Sequence, residues 1–274
     1  MPCLTPITLK HEIRDEVTVP CGKCPECAKR RASEWSYRLT KESQLHNIAH
    51  FVTLTYAPAQ LKRSVNGLPT LNKRDCQLWL KRLRKHPDNK GIFIRYYLAG
   101  EYGGITKRPH YHAIIFGPSA RSLQATWTLG SIHIGNVEGA SIGYTLKYIS
   151  KGRTVPAFDR DDREKQFSLM SKKMGLNYVT PQMVNWHNAT NDRMFITIED
   201  GRKISMPRYY KEKIFTDELK RATVGNEART RALEIQAKII EKLGLQEYVR
   251  SKQASIYAAF LKAEKHKTFN QNLS

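Results

Sequence analysis

His110-Tyr111-His112 is the first place in this sequence where residue type and spacing suggest chemistry. Residues two apart on a β-strand point to the same face, so the two imidazoles stand together and can share a metal ion. Taken alone, the pair reads sooner as two ordinary strand histidines than as metal ligands. Glu101 lies nine residues earlier. A hairpin between the two segments would carry this turn carboxylate to the start of the second strand, as an oxygen ligand. Alone, it is a solvated turn glutamate. Two nitrogens and one oxygen with open positions suit Mg²⁺ or Mn²⁺ when phosphate oxygens complete the shell.

A second constellation is Tyr144-Thr-Leu-Lys147-Tyr148-Ile-Ser-Lys151. On a helix, Tyr144, Tyr148 and Lys151 share one face and Lys147 flanks it. Two phenols about 6 Å apart beside two ammonium groups fit a pair of nucleophiles for phosphodiesters. The bland alternative is one buried and one amphipathic tyrosine lining a core. The third constellation is Cys21-Gly-Lys-Cys24-Pro-Glu-Cys27. In a chain without a secretion signal this spacing reads as metal or redox chemistry, not a disulfide framework. Cys3, or as the weaker choice His11, would complete a structural Zn²⁺ site. The compressed spacing argues against placing all three thiolates on one tetrahedron, and an iron–sulfur cluster is the other metal reading. Cys76, on an apolar helix face, reads as a buried thiol.

These residues need elements to hold them. Residues 29–47 have helical character, and 50–56 (HFVTLTY) read as a buried strand. Residues 72–86 form a basic amphipathic helix. Residues 92–99 and 110–116 make a hairpin around a turn at 100–104. A short helix near 119–127, a strand over 131–137 and a helix from about 139–141 to 150 follow. Strands with intervening helices and hairpin connections predict an α+β sandwich over an antiparallel sheet. The chain changes character near residue 155. Residues 167–210 are ordered but unassigned, and from about 216 only Gly225 and Gly244 interrupt a long basic helical tail.

Composition narrows the partner. The chain has 274 residues, with 46 Lys and Arg against 25 Asp and Glu, a formal charge of +21. That excess favours a polyanion, nucleic acid before an anionic membrane surface. No apolar run approaches the roughly 18–20 residues of a membrane span, and the first residues lack signal-peptide character. The expected compartment is reducing cytosol. Lys29-Arg30-Arg31 and Lys81, Arg82, Arg84 and Lys85 are dense enough for phosphate contacts. Trp35, Trp79 and Trp127 offer faces either to unpaired bases or to the core.

The order of the motifs adds more than any one of them. Phe51–Tyr56, then Pro109-His-Tyr-His-Ala-Ile-Ile-Phe116, then Tyr144-x-x-Lys147-Tyr148-x-x-Lys151 resembles the three motifs of the HUH endonuclease superfamily of rolling-circle replication initiators. The two-tyrosine motif resembles the phage branch. The Cys-rich opening with Lys29-Arg30-Arg31 and Trp35 is similar to initiators of small single-stranded DNA phages of the microvirus group, gokushovirus-like in particular. The likeness covers roughly residues 50–151, or 20–151 with the cysteines.

The resemblance implies a five-stranded antiparallel sheet flanked by helices, a ferredoxin- or RRM-like palm, with additional C-terminal helices. It divides the chain into a Cys-rich segment and helix (1–49), a nicking core (50–154) and an extension (155–274). It implies His110, His112 and Glu101 as ligands of Mg²⁺ or Mn²⁺, with Phe51–Tyr56 a core strand that supplies none. Tyr144 and Tyr148, assisted by Lys147 and Lys151, would nick and rejoin single-stranded DNA through a 5′-phosphotyrosine and a free 3′-OH. The implied partners are a single-stranded origin with flanking duplex, a host helicase and a host polymerase, in the cytoplasm of a bacterial host. A plasmid replication or mobilisation enzyme of the same chemistry, and a zinc-containing nucleic-acid binder without catalysis, are the rival readings.

Overall fold

Alternation along the run HFVTLTY decides how the protein is layered. Val52, Leu54 and Tyr56 point to one side and are buried, while Phe51, Thr53 and Thr55 point to the other. The computed structural model describes residues 3–10, 16–103, 106–137, 158–198 and 201–272. The central strand is β3 (Ala49–Thr55), after a separate antiparallel hairpin of β1 (Ile7–Lys10) and β2 (Glu16–Val19). With β4 (Arg95–Tyr102), β5 (Pro109–Phe116), β6 (Ile132–Asn136) and β7 (Phe167–Met170) it forms a five-stranded sheet. The spatial order is β6-β3-β5-β4-β7, and every pairing is antiparallel. The architecture is α+β, as the sequence predicts.

One face of the sheet is sealed. Helices α2 (Lys73–Lys85) and α3 (Ala120–Thr126) lay Cys76, Trp79, Leu80, Leu83 and Leu123 against Val52, Leu54, Leu98, Ala113 and Ile115. Asn72 caps α2 by accepting from the Asp75 N–H at 3.1 Å. Trp79 donates to Thr126 Oγ1 at 3.1 Å and Trp127 to the Thr55 carbonyl at 3.2 Å, so both indoles belong to this core. Burial pushes the Cys76 thiol up, in keeping with an inert core cysteine. Gly130 is required where the chain meets the end of β3. A Cβ there would sit 2.2 Å from the Thr55 carbonyl oxygen.

The other face is covered at one end. Helix α1 (Pro25–Ser43) brings Ala32, Trp35 and Leu39 onto Tyr97, Ile114 and Phe116. It begins at Pro25, earlier than the predicted residue 29, because proline is favoured in the first turn, with Cys24 extended at the N-cap position. Glu42 in its last turn accepts from Arg95 on β4 at 2.8 and 3.2 Å. The opposite end of this face carries Thr53, Thr55, His110, His112 and Glu101.

The chain forms two compact units, residues 1–174 with 262–274, and residues 175–261. The second contains α4 (Pro181–Asn188), a hairpin of β8 (Phe195–Thr197) and β9 (Lys203–Ser205), and α5 (Arg208–Ile214). His187 is buried there between the Tyr178 hydroxyl at 2.8 Å and the Arg193 carbonyl at 2.7 Å. Helices α6 (Glu218–Leu243) and α7 (Leu245–Asn272) complete the chain, in the stretch where a helical tail was expected. They meet at Gly244, whose φ of 81° is the left-handed conformation favoured after a helix end. No helix among the described residues is long and apolar enough to cross a membrane.

Candidate metal centre

The β4–β5 register builds the site. Glu101 pairs with His110, and Ala99 with His112. Paired residues of an antiparallel ladder project to the same side, so the carboxylate and both imidazoles converge. This corrects the expected strand over 92–99. Strand β4 starts at Arg95 and runs through Tyr102, which puts Glu101 inside the ladder and not in the turn. The position is more rigid than a turn would give.

Glu101 Oε1 lies 2.7 Å from His110 Nε2 and 3.2 Å from His112 Nε2. The Glu101 side chain is 5% exposed, His112 6% and His110 19%, so the group opens to solvent on the His110 side. Both outer ring nitrogens are held. His110 Nδ1 lies 3.1 Å from the Arg108 carbonyl, and His112 Nδ1 lies 3.0 Å from Thr53 Oγ1. Phe51 stacks on the His112 ring, with centroids 5.7 Å apart.

A carbonyl only accepts, so His110 Nδ1 carries a proton, and without a second proton on the ring Nε2 turns a lone pair toward Glu101. Two acceptors 2.7 Å apart need a proton or a cation between them. The three donor atoms lie within 4.8 Å of one another, a spacing that can hold an ion. Nitrogen–nitrogen–oxygen donors with both histidines braced from behind fit a divalent metal.

The cysteines form a second group. Cys3, Cys21, Cys24 and Cys27 place their sulfurs within 4.8 Å of one another, and all are free thiols. The spacing works because Cys21 precedes the helix, Cys24 caps it, and Cys27 lies three residues on at the same helix end. Backbone N–H groups of Lys23 and Cys24 donate to Cys21 Sγ at 3.4 and 3.2 Å, and the Thr5 hydroxyl donates at 3.3 Å. The Cys21 N–H donates to Cys3 Sγ at 3.2 Å, and the Leu4 N–H to Cys24 Sγ at 3.4 Å. The Thr5 hydroxyl and the Lys23 and Cys24 N–H groups hold the Cys21 thiol down at about 5, while burial pushes Cys27 up to about 12. A set of polarised sulfurs at a helix N-terminus fits a soft cation.

The expected nucleophiles Tyr144 and Tyr148, with Lys147 and Lys151, lie outside the described residues, as does His11. The expected phosphate contacts are largely engaged within the protein. Lys29 bonds Glu26 at 2.6 Å, Arg30 lies 3.8 Å from Glu34, and Arg31 donates to the Gly22 carbonyl at 2.7 Å. Arg82 donates to the Thr126 carbonyl at 3.1 Å, and Arg84 lies over Tyr96. Lys81 and Lys85 are exposed. Trp35 packs from α1 onto Tyr97 of the sheet, with the Arg38 guanidinium 4.0 Å above its ring. Thr53 and the Arg108 carbonyl were not anticipated. The signal for Thr53 was present in its place two residues from Phe51 and Thr55, on the polar alternation of a strand otherwise read as core.

Residues 49–153 match the family model of the replication-associated protein ORF2/G2P. Over that segment the chain resembles the ORF2/G2P family. The match begins on the first residue of β3 and takes in Glu101, His110, His112 and both tyrosines of the third motif. Three curated proteins are similar over longer stretches. The replication-associated protein VP4 of Bdellovibrio phage phiMH2K is 29% identical over 70% of this chain and 66% of its own length. The replication-associated protein ORF2 of Spiroplasma virus 4 is 28% identical over 72% of the chain and 68% of its own. The replication-associated protein ORF4 of Chlamydia phage 1 is 25% identical over 74% of the chain and 55% of its own. The chain thus spans between about half and two thirds of the length of these relatives. No solved structure gives a significant match.

Proposed function

We propose that this protein is a rolling-circle replication initiator that nicks and rejoins single-stranded DNA by tyrosine transesterification. The observation that carries the reading is the convergence of Glu101, His110 and His112 inside the segment that matches a replication family. The names of the three phage relatives support the biological setting.

Glu101, His110 and His112 would hold Mg²⁺ or Mn²⁺. Such an ion, when bound, polarises the scissile phosphate and fixes it for in-line attack. The chain's own groups do the rest. Thr53 and the Arg108 carbonyl keep both imidazoles aimed. A free phenol has a pKa near about 10 and needs activation at neutral pH. Lys147 and Lys151 supply it, by lowering the phenol pKa and by neutralising charge on the phosphate. The phenol oxygen of one tyrosine bonds to phosphorus, and the bond from phosphorus to the 3′-oxygen breaks. The phenol loses a proton and the leaving 3′-oxygen gains one. The phosphotyrosine preserves a phosphoester, so no ATP is consumed.

The free 3′-OH primes a host polymerase behind a host helicase. After one circuit the second tyrosine cuts the regenerated origin, and the new 3′-OH attacks the first link to release a closed circle. Flanking duplex at the origin would meet the basic surface. We assign Zn²⁺ to the cysteine group, where it would join the chain before β1 to the start of α1.

The test uses labelled single-stranded oligonucleotides tiling the replicon, with Mn²⁺, resolved on a denaturing gel. The wild type forms a covalent adduct. Tyr144→Phe or Tyr148→Phe retains single cleavage and impairs repeated rounds. The double substitution abolishes the adduct, as does His110→Ala with His112→Ala. A salt-sensitive shift on a native gel without any adduct would instead establish a nucleic-acid binder.

A further inference from the structure

We infer that Thr55, Ser131 and His133 form a track that holds a phosphate of single-stranded DNA next to the one that is cut, beside Glu101, His110 and His112. The inference rests on the nicking reading, and it assigns a substrate subsite to residues that reading leaves without a role, Thr55 in the strand taken as core and Ser131 and His133 outside the three motifs.

The sheet register puts these side chains on the site's face. Thr53 pairs with His112 on one side and with His133 on the other, so His133 stands in the His112 row. Two strand spacings separate the imidazoles, about 10 Å. Thr55 pairs with His110, and its Oγ1 lies 2.6 Å from Ser131 Oγ. The result is a polar belt across β6, β3 and β5, running from Ser131 and His133 on the outer strand to the Glu101 site.

The belt is open. Ser131 and His133 are exposed and Thr55 is half-buried. The covered end of the same face carries Phe51, Tyr97 and Ile114 beneath α1. The change along β3 from Phe51 to Thr53 and Thr55 therefore marks where packing against α1 stops.

The chemistry on the belt is that of phosphate holding. Two hydroxyls bonded to each other leave an O–H free to donate outward, and an imidazole supplies an N–H. Hydroxyl and ring N–H donors to phosphate oxygens position a nucleic-acid backbone without reading sequence. Arg108 adds positive charge at the same end of β3, where its guanidinium is held on the Tyr56 carbonyl one residue beyond Thr55. A chain whose cut phosphate sits at the His110 side then has its neighbouring phosphate over Thr55 and Ser131, with His133 further along.

The test compares cleavage by the wild type, the Thr55→Val Ser131→Ala double variant, and His133→Ala. Each is assayed on natural oligonucleotides and on a set carrying one neutral methylphosphonate at successive positions around the cut. Each variant should lose about tenfold in kcat/KM, the worth of one or two charge-assisted hydrogen bonds. His133→Gln, which keeps an N–H donor, should recover most of the loss. At one flanking position the methylphosphonate should cost the wild type a similar factor and cost the matching variant nothing more. Variants that cleave like the wild type, or losses that multiply at every position, would overturn the track and leave the nicking reading intact. A wild type that forms no adduct on any oligonucleotide would overturn both.

Discussion

Glu101 acquires its meaning from its ladder partner. A carboxylate 5% exposed and 2.7 Å from an imidazole nitrogen is costly without a cation or proton to balance it. The histidine pair and its shared face were legible from spacing alone, because strand alternation fixes which side chains stand together. The supports were not, since Thr53 is joined to His112 across 59 residues of sequence. Thr53 acts only through His112, so it is a positioning residue with a separable signature. Thr53→Ala should raise the Mn²⁺ concentration for half-maximal cleavage by roughly 10- to 100-fold, and Thr53→Ser should restore it. Equal loss of cleavage at all Mn²⁺ concentrations, with no rescue by serine, would count against that role.

At the scale of elements, the strands around the site were readable because β3 and β5 alternate clearly. The end of β4 was not, because Gly100-Glu101-Tyr102-Gly103 looks like a turn. Gly100 is instead packed in the sheet, where a Cβ would come within 3.1 Å of Phe167. The fifth strand was also hidden. Phe167–Met170 is four residues long and half-buried throughout, too short for a periodicity to show. The N-terminal hairpin was not foreseen within the Cys-rich opening, and an isolated two-stranded ribbon is marginal on its own. The cysteine group lies next to it, where Cys3 and Cys21 flank β1 and β2 and Cys24 caps α1. Plasma emission on the purified protein should therefore find close to one equivalent of zinc, and a chelator should lower the melting temperature. Less than about 0.2 equivalents would favour free thiols instead.

Across the whole molecule the charge is uneven. Residues 175–261 carry 14 Lys and Arg against 10 Asp and Glu, which leaves 17 of the 21 net positive charges to the unit that holds the site. Composition pointed to a polyanion but not to which basic residues meet it. Several that looked like phosphate contacts are spent on neighbours, such as Arg31 on the Gly22 carbonyl and Arg82 on α3. Binding should still be strongly electrostatic. With about five phosphates neutralised, single-stranded DNA affinity should fall on the order of 100-fold between 50 and 200 mM salt. An affinity that barely moves with salt would mean that the excess charge serves something else. The central claim is that a tyrosine of this chain becomes covalently joined to DNA, and mass spectrometry of the digested adduct tests it most directly. A nucleotide should appear on the peptides bearing Tyr144 or Tyr148, dependent on Mn²⁺ and absent in His110→Ala. A nucleotide on any other residue, or DNA held without a covalent bond, would contradict it.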